Sequence, residues 1–408
     1  MCLKDGLIDI ALQCVPEIVE GKLMQLNALD RFTLKHKSLL PIVQGGMGVG
    51  VSAHRLAGSV AALGAVGTIA SVDLRRHHPD LMADSGRDAA RIDAANLVAL
   101  DREIGMARAL AQGRGLLAVN VMRAVGQYPA LVRQACASGA EALVVGAGLP
   151  LDLPELTAGY PDVALVPVLS DLRGIATLLK KWMRRQRLPD AIVIENPRCA
   201  AGHLGAPDLA AIGDARYGYA VVLEGVQALL RELGIERERI PLIAAGGVHT
   251  PAQLRAMLAL GASAVQLGTP FAVSTEGDAS EGFKRVLLDA GPADTVTFMS
   301  TAGLPARAVR TPWLMRYLDK EARLRAKAKA KPCTVGFDCL QQCGWRDGDA
   351  RAGQFCIDTQ LAFALQGDRQ RGLFFRGSEP LPFGTAMRPV RELIDFMLGG
   401  ARPAPQPC

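Results

Sequence analysis

Short runs of β-branched and aliphatic residues recur along the chain, at Leu40–Val43, Val66–Ile69, Leu117–Asn120, Ala142–Val145, Leu165–Val168, Ala191–Ile194, Leu242–Ala244 and Ala264–Leu267. Each is apolar at nearly every position, the pattern of a strand covered on both faces, and most run into Gly, Asn or Ser. Their centres lie about 25 residues apart, twice doubled to about 50, the length of strand–helix units with two insertions. Between them, apolar residues follow helical spacing over His54–Leu63, Tyr128–Ser138, Gly174–Arg185 and Pro251–Leu260. Two of these helices meet a glycine stop, at Gly139-Ala140 and Gly261-Ala262. Eight buried parallel strands alternating with helices predict an α/β chain closed as a (β/α)8 TIM barrel; a doubly wound open sheet is the alternative.

The doubled gaps, Ser71–Leu116 and Asn196–Pro241, read as helical insertions on the catalytic face of such a barrel. The division expected is an N-terminal helical arm (1–35), a barrel (36–300), a basic helix and linker (301–332) and a Cys-containing extension (333–408) with a frayed Arg402–Cys408 end. Half of the 408 residues are hydrophobic and 21% are charged, which excludes a disordered or fibrous chain. Only 5% are aromatic, too few for base-stacking platforms, so no nucleic-acid partner is expected. The net charge of +6 gathers between Arg307 and Lys331, which reads as a solvated helix or linker. Met1–Glu20 lacks a basic start, and the most apolar window, Leu56–Val72, is broken by Gly, Ser and Thr. The expectation is therefore a cytoplasmic protein without signal peptide, membrane span or disulfide framework.

Candidate chemistry gathers at the strand ends. After the first strand, Gln44-Gly45-Gly46-Met47-Gly48-Val49-Gly50 would let backbone N–H groups approach a flat or anionic ligand. After strands seven and eight come Ala244-Ala245-Gly246-Gly247-Val248 and Gln266-Leu267-Gly268-Thr269-Pro270-Phe271. Loops in those two places frequently build a phosphate site in barrels. After strand six, Ala200-Ala201-Gly202-His203-Leu204-Gly205 sets a histidine at the barrel mouth, where it either exchanges protons or simply bonds its own loop. The other histidines of note fit a helix surface (His54) and a polar turn (His77, His78).

Together these motifs resemble the nitronate monooxygenase family of FMN-dependent barrels, over roughly residues 38–310. The resemblance implies FMN at the barrel mouth, with Gly46 and Met47 against the isoalloxazine ring, Asn120 nearby and Gly45 among the cofactor-binding residues. It places the phosphate on Gly246, Gly247, Gly268 and Thr269, and adds Ser170 and Gln266 as further cofactor contacts. His203 matches the family's catalytic histidine. The implied reaction oxidises a nitronate or nitroalkane with dioxygen to a carbonyl compound and nitrite, the flavin carrying the electrons. One departure stands out: four residues before the histidine, where the family usually has Glu, this chain has Cys199, with Glu195 directly after strand six.

Four of the nine cysteines, Cys333, Cys339, Cys343 and Cys356, fall in one C-x5-C-x3-C-x12-C stretch. Converging thiolates suit Zn²⁺ or an iron–sulfur cluster, whereas buried thiols in a small core need no metal. The spacing is similar to the 4Fe-4S run of flavin barrels of the 2,4-dienoyl-CoA reductase type. Such a cluster would suit an alternative function, an NAD(P)H-dependent reductase of enoyl thioesters or quinones. A third reading, a metal-stapled scaffold whose basic segment binds an acidic partner, leaves the strand-end motifs unexplained. Gly372–Ser378 and Leu381–Gly384 are aromatic turns that would pack the extension onto the barrel or onto a second subunit of a homodimer, or cover the flavin mouth.

Overall fold

The computed structural model describes residues 31–402. The eight apolar runs are eight parallel strands: β1 (Ile42–Gln44), β2 (Val66–Ala70), β3 (Leu116–Met122), β4 (Ala142–Gly146), β5 (Ala164–Leu169), β6 (Ile192–Glu195), β7 (Leu242–Ala245) and β8 (Ala264–Leu267). Each pairs with the next, and β8 returns to β1 through Val265–Ile42, Gln266–Val43 and Leu267–Gln44. That last pairing closes the barrel and excludes the open sheet. Helices α1 (His54–Ala62), α2 (Ala89–Ala111), α3 (Tyr128–Ala137), α4 (Leu172–Met183), α5 (Tyr219–Glu232) and α6 (Pro251–Ala259) alternate with the strands and pack on their outer faces.

The strand period of two sorts the core into an inside and an outside. On β3, Leu117, Val119 and Val121 face the helices while Leu116 and Ala118 fill the barrel, so Asn120 projects inward at the mouth. The same alternation turns Glu195 inward beyond Val193 and Gln266 inward beyond Ala264. The opposite end is closed by a hairpin, Phe32–Leu34 with Lys37–Leu39, whose Phe32, Leu34 and Leu39 join the barrel interior. Residues 1–30 of the expected helical arm lie outside the described residues; its last part is a strand of this hairpin.

Beyond the barrel come α7 (Glu281–Asp289), then β9 (Thr295–Met299) and β10 (Pro305–Val309), α8 (Pro312–Ala326), α9 (Ile357–Leu365) and α10 (Val390–Met397). The segment expected to be helix and linker thus opens with a buried strand. Arg307, read as the start of a solvated basic run, is only 6% exposed within it. Three of the basic residues that follow tie down backbone: Arg310 donates to the Thr295 carbonyl, Arg316 to that of Gln370 and Arg325 to those of Ala350 and Arg351. The extension docks through a buried charge cluster in which Asp358, on α9, takes Arg76 at 2.5 Å, and Arg76 also reaches Asp73 at 2.6 Å. No helix among the described residues is long and apolar enough to cross a membrane.

One device connects this frame to the mouth. Helix α1, which follows the glycine loop of β1, has no cap of its own at Ala53. Its orphan N–H groups are taken by distant carboxylates instead: Asp278 accepts from Ala53 at 2.7 Å, Arg55 at 3.1 Å and Leu56 at 3.1 Å. Buried Glu103 accepts from the His54 N–H and ring, both at 2.8 Å. Replacing Asp278 by Ala should leave those donors unpaired and cost about 2–3 kcal/mol. A guanidinium unfolding midpoint that does not move would refute this capping role.

Candidate active site

The inward-facing strand ends and their loops enclose a cavity of about 800 Å³ at the barrel mouth. Every residue that the sequence nominated for the cofactor and for catalysis lines it: Gly45, Gly46 and Met47 after β1, Asn120 on β3, Ser170 after β5, His203 after β6, Gly246 and Gly247 after β7, and Gln266, Gly268 and Thr269 on and after β8. The glycines are required by contact and by torsion. A Cβ on Gly46 would stand 2.3 Å from the Asn120 Cβ, and Gly246 and Gly247 have φ of +98° and +81°. Asn120 is held by its amide, which donates to the Val144 carbonyl at 3.0 Å. Gln266 keeps its Oε1 buried without any hydrogen bond.

Among the described residues, no acceptor takes the backbone N–H groups of Gly247, Val248, Gly268 or Thr269. Free amides on two adjacent glycine turns suit a phosphate, and the unpaired Gln266 oxygen suits a polar ring edge above it. The residues present therefore fit a flavin nucleotide. The Thr269 hydroxyl already accepts from the Gly377 N–H at 3.1 Å, which ties the C-terminal segment to this turn.

His203 does not sit on a free loop. Gly202–His203 forms a two-residue strand on the edge of β10, with His203 opposite Ala306 and Gly202 opposite Arg307. Farther along the same edge, Phe375 bridges Ala308 and the Val309 N–H donates to the Phe374 carbonyl at 2.8 Å. The Phe375 ring thereby lies 5.6 Å from the imidazole. Gly202 needs its φ of +67°, and the open side of its Cα faces the Phe375 ring. The aromatic turn of the extension thus lines the cavity beside the histidine.

The ring's state follows from its partner. Ser300, in the β9–β10 turn and fully buried, accepts from the Ala302 N–H at 3.2 Å and lies 2.9 Å from His203 Nε2. Among the described residues its hydroxyl has no other acceptor, so its proton goes to Nε2 and the neutral ring keeps its own proton on Nδ1. Burial pushes the imidazole down to about 4, so it is neutral at physiological pH. The same burial pushes the Glu195 carboxyl up to about 7, against the pull of Arg307. Arg307 donates to the Pro197 carbonyl at 3.3 Å and the Ala200 carbonyl at 2.5 Å, bracing the loop that leads to His203.

Sequence reasoning missed Ser300, Arg307 as a buried group, and Glu379, a cavity residue 3.9 Å from the His249 ring. No local pattern marks them, since each acts through a partner about a hundred residues away. Of the two readings of the four cysteines, the geometry favours thiols that need no metal. Cys333, Cys339, Cys343 and Cys356 are free thiols, and no three or more His, Cys, Asp or Glu among the described residues are disposed to hold a metal ion. Cys339 feels the other three thiols, but most are already engaged locally: Cys333 donates to the Phe337 carbonyl, Cys343 accepts from the Arg346 N–H, and Cys356 from Thr359.

A probable nitronate monooxygenase of Staphylococcus saprophyticus is 29% identical over 176 residues, 42% of this chain and 47% of that one. A carboxyl-CoA dehydrogenase of Mycobacterium tuberculosis, acting on a 7a-methyl-1-oxo-octahydroindene thioester by its name, is 36% identical over 107 residues, 26% of this chain and 30% of that one. The chain therefore spans less than half the length of these two curated relatives. The solved nitroalkane oxidase of Streptomyces ansochromogenes shares the fold, with a TM-score of 0.61 at 20% identity over 88% of this chain and 94% of that one. The nitronate monooxygenase family model matches residues 30–398, almost the whole described structure, and the chain belongs to that family of oxidoreductases.

Proposed function

We propose that the protein is an FMN-dependent oxidoreductase that oxidises small alkyl nitronates with dioxygen, giving a carbonyl compound and nitrite. The observation that carries this reading is a neutral imidazole, oriented by Ser300, in the wall of a cavity whose glycine turns and orphaned Gln266 oxygen suit a flavin nucleotide. Gly247, Gly268 and Thr269 would hold the phosphate, and Gly46, Met47 and Asn120 would bound the ring. When bound, the flavin supplies electron acceptance from the substrate and their passage to dioxygen.

The chain's own contribution is binding, orientation and proton control. With its proton on Nδ1, His203 offers a hydrogen-bond donor to an anionic nitronate oxygen without charging the site. To act as a base toward a neutral nitroalkane it must first exchange tautomers. Ser300 allows this, because a hydroxyl can also accept from Nε2–H, at the cost of leaving its own proton without an acceptor. The resting form thus favours the nitronate. Phe375, Leu373 and Leu361 make the adjoining wall apolar and limit water near the reacting carbon.

A second reading, an NAD(P)H-dependent reductase or dehydrogenase of thioesters, is supported by the size of the cavity and by the similarity to the mycobacterial carboxyl-CoA enzyme. Absorption spectra of anaerobic protein decide between them. Flavin bands bleached by nitronate alone support the first reading, and bands bleached only by NAD(P)H replace it with the second. A protein that cannot be loaded with FMN refutes both.

Two variants test the proton role. His203→Asn should retain FMN yet lose about 100- to 10,000-fold in kcat/KM on neutral nitroalkanes, with a smaller loss on nitronates. Ser300→Ala should lower nitronate turnover about three- to tenfold, the worth of one net hydrogen bond. Because the ring is neutral above about 4, its action as a base toward a neutral nitroalkane should persist through mildly acid solution and vanish as pH falls through that value, whereas the protonated ring remains a donor to a nitronate. Equal rates in wild type and His203→Asn on a neutral nitroalkane would sink the assignment.

A further inference from the structure

Glu195 has no counterpart in the chemistry described so far. Strand alternation aims its side chain into the cavity, and among the described residues its carboxyl makes no hydrogen bond. Three elements present ionisable groups to it or to its neighbours. From β10 comes Arg307, from α5 Tyr219, and from the C-terminal segment Glu379. Arg307 is drawn to both glutamates while its Nη1 is already committed to two carbonyls. Tyr219 stays a neutral phenol, donating to the Ala245 carbonyl at 2.6 Å. His249, beside Glu379, is held neutral by burial. Two partly buried carboxyls therefore share one buried guanidinium at the cavity wall.

The register adds a further charge. Glu195 pairs with Ala245, and the next residues, Gly246 and Gly247, carry the turn on which a phosphate would rest. A dianion there beside two ionised carboxylates would place like charges together where screening is weak. Keeping a proton on the unbonded carboxyl avoids this. A protonated carboxyl is also a donor, and since the protein gives it no acceptor, a ligand that fills the cavity and displaces its water is placed to supply one.

We propose that Glu195 holds a proton when FMN fills the cavity and donates it in a hydrogen bond to that ligand, so that binding takes up a proton from neutral solution. The proposal rests on the flavin reading above and adds a proton-linked binding residue to it.

The test is FMN affinity of the apoprotein, read by quenching of flavin fluorescence from about pH 6 to about pH 9, for wild type, Glu195→Gln and Glu379→Gln. Wild-type affinity should fall as pH rises, approaching tenfold per unit at about one linked proton. Glu195→Gln, neutral and still a donor, should bind with a profile lacking that fall, and Glu379→Gln should keep it. The ionisation of the FMN phosphate is common to all three proteins and cancels in the comparison. Calorimetry in two buffers of different ionisation enthalpy should find proton uptake in wild type and none in Glu195→Gln. An identical slope in wild type and Glu195→Gln, or a slope abolished by Glu379→Gln instead, overturns the proposal.

Should the glutamine variant not fold, as judged by circular dichroism, wild type alone decides by infrared difference spectroscopy in mildly alkaline solution. A protonated-carboxyl band gained on adding FMN supports the assignment, and no such band overturns it. Wild type that binds no FMN at any pH overturns the flavin reading itself, an outcome distinct from tight binding without proton uptake.

Discussion

The position of His203 depends on a backbone pairing between segments about a hundred residues apart. A two-residue stretch rich in small neighbours cannot hold a side chain by itself, because its backbone has too many accessible states. Edge pairing with Ala306 and Arg307 removes that freedom. The same hairpin then supplies Ser300 to the ring nitrogen and Arg307 to the carbonyls of the preceding loop. Phe374 and Phe375 complete the edge of β10 and close the wall. Disturbing β9 or β10 would therefore loosen the ring, its tautomer and the cavity wall at once, although neither strand belongs to the barrel.

Much of the frame was legible in the sequence because it depends on local periods. Strands buried on both faces write themselves as unbroken apolar runs, and the strand period of two also brings Asn120, Glu195 and Gln266 to the mouth. The glycine turns were legible for a related reason: Gly246 and Gly247 occupy backbone conformations that L side chains rarely adopt, and Gly46 has no room for a Cβ beside Asn120. In each case the constraint lies within a few residues of its own signature.

The remainder was hidden because its determinants are non-local. Arg307 lies beside a cationic stretch in sequence, and only the pairing with Gly202 buries it. Ser300 is one serine in a polar turn until folding brings it to Nε2. The four cysteines are close in sequence and near one another in space, yet spacing along the chain does not say whether sulfur atoms are aimed at one point. Cys343 caps its own short helix with its sulfur, and Cys333 bonds a carbonyl four residues on, so local contacts suffice to place them.

A single physical cause, exclusion of water, sets the chemistry of the finished cavity. Desolvation penalises whichever form of a group is charged, so it lowers the imidazole of His203 and raises the carboxyl of Glu195. Both groups move toward neutrality, which leaves the wall polar and less charged than the same side chains would be in water. Such a wall suits anions. On the proposed reading, an entering anion meets donors in the free backbone amides and the His203 ring, and beside them a carboxyl able to take up a proton. A wall of fixed cations would bind the same anions more strongly, but it would stabilise the bound substrate as much as the transition state and so contribute little to turnover. Neutral donors held in place by the barrel and by the β9–β10 hairpin avoid that penalty, because their orientation is set before the ligand arrives.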